Sequence, residues 1–480
     1  MRKNRINLFK LSIVVKNFLE HIWINCYNFI CNFIKTYWGA IFMNKTIITK
    51  FGGSSLADAN QFKKVKEIIV SDSNRKYVIP SAPGKRHSKD SKITDLLYLC
   101  HAHVETGISL DDVFNHIEER YSSIVKDLGL DFDIEKHLNV VKKDLEDGAS
   151  KDYAASRGEY LNGLILAHYL GFEFVDAKDV IVFNNDGSLD TDATHEALSD
   201  KLSKISNAVI PGFYGADKDG NIVTFSRGGS DVTGALVAES INADLYENWT
   251  DVSGFLMADP RIIDNPKPIS TITYSELREL SYMGASVLHE DSIFPVRKAG
   301  IPINIKNTNR PQDEGTFIVK DCDLSSNPNI VTGIAGKKDF TVISISKASM
   351  NSELGFCRKI LSVLEQNGIS FENMPSGIDT VCLVISDAEL KNKQKTVIDG
   401  IKASCNPDSI VVHPGMAMIA TVGRGMAKQT GTAAKIFAAL SDAKINIRMI
   451  DQGSSEMNIL VGIENSHFEK GIQAIYNAFN

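Results

Sequence analysis

The chain has 480 residues, 43% of them apolar and 23% charged, and a net charge of −7. That is an ordinary globular composition for about three domains, and the negative balance argues against a general nucleic-acid binder. The seven cysteines form no C-x-x-C pair, which argues against zinc or redox-motif chemistry and suits a reducing cytosol.

The first 42 residues hold six Lys/Arg and one acid, Glu20. Lys10, Lys16, Glu20 and Lys35 interrupt the apolar runs, so no stretch of about 18 residues suits a membrane span. No small-residue cleavage site follows a short apolar core. A basic membrane-surface helix is the competing reading. The expectation is an upstream extension or a misassigned start, with Met43 as the natural beginning; a native peptide from residues 1–42 would contradict it.

Thr46-Ile47-Ile48-Thr49 reads as a buried strand. Lys50-Phe51-Gly52-Gly53-Ser54-Ser55 follows, then a helix over Asp58–Val70 with Phe62, Val65, Ile68 and Ile69 at helical spacing. Backbone N–H groups beside glycines near a helix start attract phosphate, and a lysine adds a mobile charge. A tight turn with an exposed lysine fits equally well at this stage. Tyr77–Gly84 reads as a second strand ending in a Ser/Pro/Gly turn, the place where ligands meet a parallel sheet. Lys85, Arg86, Lys89 and Lys92 then form either a solvated loop or a phosphate-facing one.

Ile93–Leu170 is mainly helical by pattern. It contains Ser156-Arg157-Gly158-Glu159, read as lying near a helix start, where a glutamate is by default dipole chemistry. Short strands are expected at 174–177 and 181–183, and another at Ala208–Gly215 ends in a glycine-rich turn. Arg227-Gly228-Gly229-Ser230-Asp231 packs a guanidinium, a hydroxyl and a carboxylate around two glycines, more charge than a bare turn needs. Arg227 suits bidentate carboxylate recognition. A strand at Ala243–Tyr246 leads to a loop, Trp249–Arg261, that holds Asp251, Asp259 and Arg261. It is either a nucleotide loop or an Asx-rich connection. A helix with Leu277, Leu280 and Met283 follows, then Gly284–His289 and a strand at Ile301–Ile305; His289 reads as a packing histidine. Strands alternating with helices from Met43 to about Lys320 imply an α/β domain with a mostly parallel sheet.

The last third repeats with an offset of 76 residues: Gly355 matches Gly431, Lys359 matches Lys435, Leu364 matches Leu440, Ile369 matches Ile445 and Gly377 matches Gly453. The first copy reads strand 340–345, helix 355–366, strand 369–374 and strand 381–385. It resembles a pair of ACT modules, small βαββαβ regulatory units; a duplicated dimerisation module without a ligand is the plainer reading.

Taken together, K-F-G-G-S-S, S-R-G-E, R-G-G-S-D, T-D-V-S-G and D-P-R resemble the motifs of the aspartate kinases in the amino-acid kinase family. The resemblance covers nearly all of Met43–Asn480. It implies a three-layer α/β sandwich over 43–324, a first ferredoxin-like ACT domain over 339–412, and a second built from 325–338 and 413–480. It implies transfer of the γ-phosphoryl group of MgATP to the β-carboxylate of L-aspartate, giving 4-phospho-L-aspartate, the first step toward lysine, threonine and methionine. On the family pattern, Lys50 and Asp231 are catalytic. Ser81, Glu159, Arg227 and Ser230 hold aspartate, with Glu159 on its ammonium and Arg227 on its α-carboxylate. Lys50, Gly52, Gly53, Ser54, Thr250, Asp251, Phe255, Asp259 and Arg261 hold ATP. Mg²⁺ is expected with the nucleotide, without a dedicated cluster of metal ligands. Met350, Ser352, Gly355, Phe356, Cys357, Glu372 and Ser376 form the expected effector site, with lysine as effector. A cytoplasmic homodimer or homotetramer is implied, with no nucleic-acid or membrane partner. Two departures stand out: Phe255 and Ser286 occupy positions where the family often has tyrosine and lysine. The alternatives are another amino-acid kinase or a non-catalytic amino-acid sensor.

Overall fold

The computed structural model describes residues 45–226, 228–285, 293–321, 330–427 and 429–480. Arg227, Ser286, His289 and residues 1–42 lie outside them. The N-terminal unit contains strands β1 (Ile47–Phe51), β2 (Arg75–Pro80), β3 (Glu173–Phe174), β4 (Val182–Phe183), β5 (Ala208–Val209), β6 (Tyr214–Asp217), β7 (Ile222–Thr224), β8 (Leu245–Thr250), β9 (Thr271–Thr273), β10 (Ile303–Asn307) and β11 (Thr316–Val319). Eight of them form one sheet in the order β3-β5-β2-β1-β8-β10-β11-β9. Every pairing in it is parallel except β10 with β11.

Successive strand residues face opposite sides, and both sides of this sheet are covered. Ile48 and Ile79 pack with Leu236 and Val237 on one face; Phe51, Val78, Val209 and Trp249 pack with the helical layer of residues 59–170 on the other. A strand buried on both faces shows an unbroken apolar run, which is why β1 and β2 stand out in the sequence. The region 93–170 resolves into four helices, Ile93–Glu105, Asp111–Leu128, Ile134–Glu146 and Lys151–Leu170. β4, β6 and β7 make a small separate sheet.

Several local expectations change. The 208–215 segment gives two strands, β5 and β6, in different sheets, and the strand expected at 174–177 ends at Phe174. S-R-G-E lies inside the Lys151–Leu170 helix, whose N-cap is Ser150, with its side chain accepting from Tyr153 N; Glu159 is therefore not a helix-start residue. β8 runs on through Trp249 and Thr250, which the pattern assigned to a loop. Its polar members find partners inside the protein: Glu247 takes two bonds from Arg75, at 2.8 and 3.1 Å, and Asn248 reaches Asp231 at 2.7 Å. Residues 369–374 do not form a strand. Asn373 and Ser376 make single bridges, to Val384 and Val381. The Asn373 side chain takes the Met374 N–H at 2.7 Å, and Pro375 has no N–H to give.

The C-terminal unit is one five-stranded sheet in the order β13-β12-β14-β16-β15. β12 (Gly333–Ser346) and β14 (Ser409–Val422) are each 14 residues long and pair antiparallel along their length, with β13 (Thr380–Ser386), β15 (Met449–Asp451) and β16 (Asn458–Glu464) outside them. The register slips at Lys337/Phe340, where Asp339 has φ +69°. On one side of the slip β12 pairs with β13; on the other β14 pairs with β16. Two modules thus share two strands. Gly355 and Gly431, the glycines matched by the repeat, are N-caps in the left-handed region at φ +80° and +88°.

A buried carboxylate joins the two units. Glu276 caps the Tyr274–Tyr282 helix through Thr273, accepts from Thr332 at 2.6 Å, and takes the backbone N–H and a guanidinium N–H of Arg424 at 2.9 and 3.2 Å. Burial alone would raise its pKa, but the bonds from Arg424, Thr332 and Thr273 outweigh burial and lower it. Its contribution to stability is present at neutral pH and lost as pH falls through the lowered pKa. Removing one partner of such a pair strands a buried charge, so Glu276→Ala should destabilise the protein by about 3–5 kcal/mol in urea denaturation. A change under about 1 kcal/mol would show the pair to be incidental.

Candidate active site

Lys50 leaves the carboxyl end of β1 and is 8% exposed. Its Nζ lies 2.7 Å from Asp231 Oδ1, and the same oxygen accepts from Asn248 Nδ2 at 2.7 Å. Asn248 pairs with Lys50 in the β1–β8 register. Asp231 stands in the first turn of the Gly229–Ser240 helix, whose N-cap is Gly228 at φ +57°. A cation, a carboxylate and a helix N-terminus therefore meet at the edge of the sheet, a place suited to phosphate.

The loops after β1 and β2 touch backbone to backbone. Gly84 N donates to Gly53 O at 2.8 Å, and a Cβ on Gly84 would fall 2.6 Å from the Gly53 carbonyl carbon. Ser81 N donates to Phe51 O at 3.0 Å, and Ser81 O accepts from Asn162 Nδ2 at 2.6 Å. Gly158 passes so near the second loop that a Cβ would sit 2.8 Å from that of Ala82. That approach carries Glu159 to the same loop. Glu159 is 6% exposed. Burial pushes its carboxyl up to about 8, against the pull of the Ala82 N–H, its own N–H, and the charges of Lys50 and Arg157. Its Oε2 is buried with no hydrogen-bond partner among the described residues. An acceptor orphaned in this way is costly unless a donor arrives.

Among the sequence-derived residues, Lys50, Gly52, Gly53, Ser54, Ser81, Glu159, Ser230 and Asp231 belong to this edge and its loops. Thr250 ends the neighbouring β8 and Asp251 follows it, with Thr250 Oγ1 donating to Asp251 Oδ1 at 3.1 Å. Beyond them lies a cavity of about 790 Å³ lined by Asp251, Phe255, Leu256, Asp259 and Arg261. Phe255 is 3% exposed and belongs to the core, whereas Leu256 is 38% exposed, so Leu256 is the apolar side chain more open to a ligand. Asp259 and Arg261 pair with each other at 2.6 Å, and the guanidinium holds the Asp259 carboxyl below its usual range. The cavity's other wall includes Ile334, Gly336 and Phe468 of the C-terminal unit. That wall, Leu256, Asn162 and Asn248 were not identified from the sequence; the polar pair Glu247-Asn248 between Tyr246 and Trp249 was the available signal.

The expected effector residues divide. Met350 and Phe356 are 6% and 2% exposed and sit in the first module's core with Ile360 and Leu364, so a ligand would meet their backbone rather than their side chains. Ser352, Gly355 and Ser376 are exposed and Cys357 is half-buried. Partial burial, and then the neighbouring Glu372 carboxylate, push the phenol of Tyr282 in the N-terminal unit up to about 12.

Fold and site together define an α/β phosphotransferase domain joined to a tandem regulatory module. The amino acid kinase family model matches residues 45–307 and an ACT domain model matches 419–479. Aspartokinase 3 of Bacillus subtilis is 39% identical over 90% of this chain and 98% of its own. The crystal structure of the Clostridium acetobutylicum aspartate kinase is 63% identical, with a TM-score of 0.86 over 90% of this chain and 100% of its own. Aspartokinase III of Escherichia coli, solved with lysine and aspartate, is 25% identical with a TM-score of 0.69 over 90% of this chain and 99% of its own. The chain belongs to the amino acid kinase family and, within it, to the aspartate kinases. Among the described residues, no helix is long and apolar enough to cross a membrane.

Proposed function

We propose that Glu159 and the Lys50–Asp231 pair are the two ends of one site, where aspartate receives the γ-phosphoryl group of ATP. The observation that carries this is the orphaned Glu159 Oε2, a buried acceptor that a substrate ammonium would satisfy. Arg227 is assigned the α-carboxylate, and Ser81 and Ser230 orient the substrate so that its β-carboxylate faces Lys50. An oxygen of that carboxylate forms the new bond to phosphorus as the bond to the ADP oxygen breaks. The nucleophile carries no proton at neutral pH, so no general base is required, and Asp231 serves to place Lys50. Lys50, the donors of Gly53 and Ser54 and the Gly229–Ser240 helix N-terminus offset charge on the phosphoryl oxygens, which is the main work of such a transfer; the Gly52 N–H is already given to Trp249 O at 3.0 Å. The adenosine portion lies along Thr250–Arg261, with Leu256 and Phe255 as its apolar contacts.

A Mg²⁺ carried by the nucleotide would be held by carboxylates of this chain. Asp231 and Asp251 suit an ion that keeps several waters and needs only one or two protein carboxylates; when bound it neutralises phosphate charge. Hydroxylamine trapping tests the reaction: aspartate and ATP should yield the hydroxamate, while ADP release measured in parallel should show no comparable turnover with glutamate, N-acetylglutamate or UMP. Faster turnover of any of the three would reassign the substrate.

The paired ACT modules are assigned a lysine-responsive role in a homodimer or homotetramer, with Ser352, Gly355, Cys357, Glu372 and Ser376 at the effector site. Lysine should inhibit hydroxamate formation more strongly than threonine or methionine. Lysine-insensitive activity would remove the assignment. Inhibition requires lysine to bind the two conformational states with different affinity.

A further inference from the structure

Arg157 is 5% exposed, and its Nε and Nη2 donate to the hydroxyl of its neighbour Ser156, at 3.0 and 2.9 Å, rather than to a carboxylate. Three tyrosine rings surround the guanidinium: Tyr153 at 4.4 Å, Tyr160 at 4.5 Å and Tyr214 at 5.3 Å from ring centre to Cζ. Two of those rings are fixed by their own hydroxyls, Tyr214 donating to Asp176 at 2.7 Å and Tyr153 to Asp144. A cation taken out of water without an ion pair is unfavourable unless such a cage compensates. An apolar side chain would fill the same space without that penalty.

The cage spans two walls of the proposed aspartate site. Tyr153, Arg157 and Tyr160 stand on the helix that carries Glu159. Tyr214 opens β6, directly after Phe213, which adopts φ +81°. Phe213 N donates to Thr233 Oγ1 at 3.1 Å. A Cβ on Gly212 would fall 2.6 Å from Ser230, and one on Gly229 would fall 2.3 Å from the Phe213 ring. The 212–214 turn is therefore laid directly on the helix start that bears Ser230 and Asp231. A second tie runs in parallel, from Thr224 Oγ1 on β7 to Asp152 at 2.8 Å.

We propose that Arg157 is a positioning residue for aspartate: its caged guanidinium clamps the 212–214 turn to the Glu159 helix and fixes the separation of Glu159 from Ser230 and Asp231. The inference rests on the placement of aspartate at Glu159. The proposed adenosine contacts, along Thr250–Arg261, do not pass through the cage; only the phosphate end of the nucleotide shares the Gly229–Ser240 helix start with it.

Arg157→Met keeps an apolar side chain among the rings and removes the cation. It should raise the aspartate KM about tenfold or more, with the ATP KM and thermal midpoint close to wild type. Arg157→Lys keeps the charge but loses the planar stack and the Ser156 bonds. It should fall between the two, and it keeps the test open if the methionine variant does not fold. An unchanged aspartate KM in the folded variants, or an equal rise in both KM values, would overturn the clamp. Glu159→Gln, measured alongside, separates the two claims. If it raises the aspartate KM while the Arg157 variants do not, the clamp alone fails; if it does not, the placement of aspartate fails and the clamp with it.

Discussion

Lys50→Ala should lower kcat by about two to three orders of magnitude, the usual effect of deleting a charge-stabilising donor at a transferring group. The residue sits where little else could replace it. Its ammonium is buried, held 2.7 Å from Asp231, and supported from β8 by Asn248 at 2.7 Å from the same carboxylate oxygen. KM values should change less than kcat, because the charge it offsets is greatest while the phosphoryl group is in flight. The loss should be non-additive with Asp231→Ala, because without Lys50 the aspartate has nothing to place. Near-normal kcat in Lys50→Ala, or additive losses in the double variant, would refute the assigned roles.

Glu159→Gln should raise the aspartate KM by about a hundredfold, since it removes the charge from a buried hydrogen bond to an ammonium. The wild-type pH dependence should carry the same signature. Burial moves Glu159 from an ordinary 4.5 to about 8, so below that value the free enzyme holds the group protonated. An incoming ammonium requires the carboxylate. The kcat/KM for aspartate should therefore rise with pH toward about 8 and then level, while kcat, which reports the bound complex, stays flatter. Linkage gives the stability counterpart. With its folded pKa raised, Glu159 contributes stability that is fully present below 4.5 and lost as pH rises to about 8. Aspartate should restore part of that loss by supplying a partner. An acid limb that persists in Glu159→Gln would belong to another group.

Much of this arrangement is legible in the sequence because its causes are local. β1 and β2 are buried on both faces, so their apolar runs are continuous. The glycines at 53, 84 and 158 mark close approaches that leave no room for a side chain. The repeat at 76 residues gives the tandem module its outline.

What was not legible depends on pairings between distant segments. Asn248 is an unremarked polar residue until β8 lies beside β1 and Asp231 turns toward it. The cavity wall formed by Gly336 and Phe468 exists only because the second module packs against the kinase unit. Glu159 looked like a helix-start residue because S-R-G-E resembles a cap, whereas the working cap is Ser150, well upstream. The 369–374 segment has strand composition, but the Asn373 side chain and Pro375 disrupt its ladder.

The most direct measurement is calorimetric titration of aspartate into the wild-type enzyme and Glu159→Gln at pH 7, in buffers of different ionisation enthalpy. If Glu159 is protonated when free and ionised when it holds the ammonium, wild-type binding should release close to one proton and its enthalpy should vary with the buffer. Binding to Glu159→Gln should be weaker and independent of the buffer. Equal aspartate affinity in the two proteins, or the same proton release from both, would contradict the placement of aspartate at Glu159; tight wild-type binding without proton release would contradict only the raised pKa of the free group.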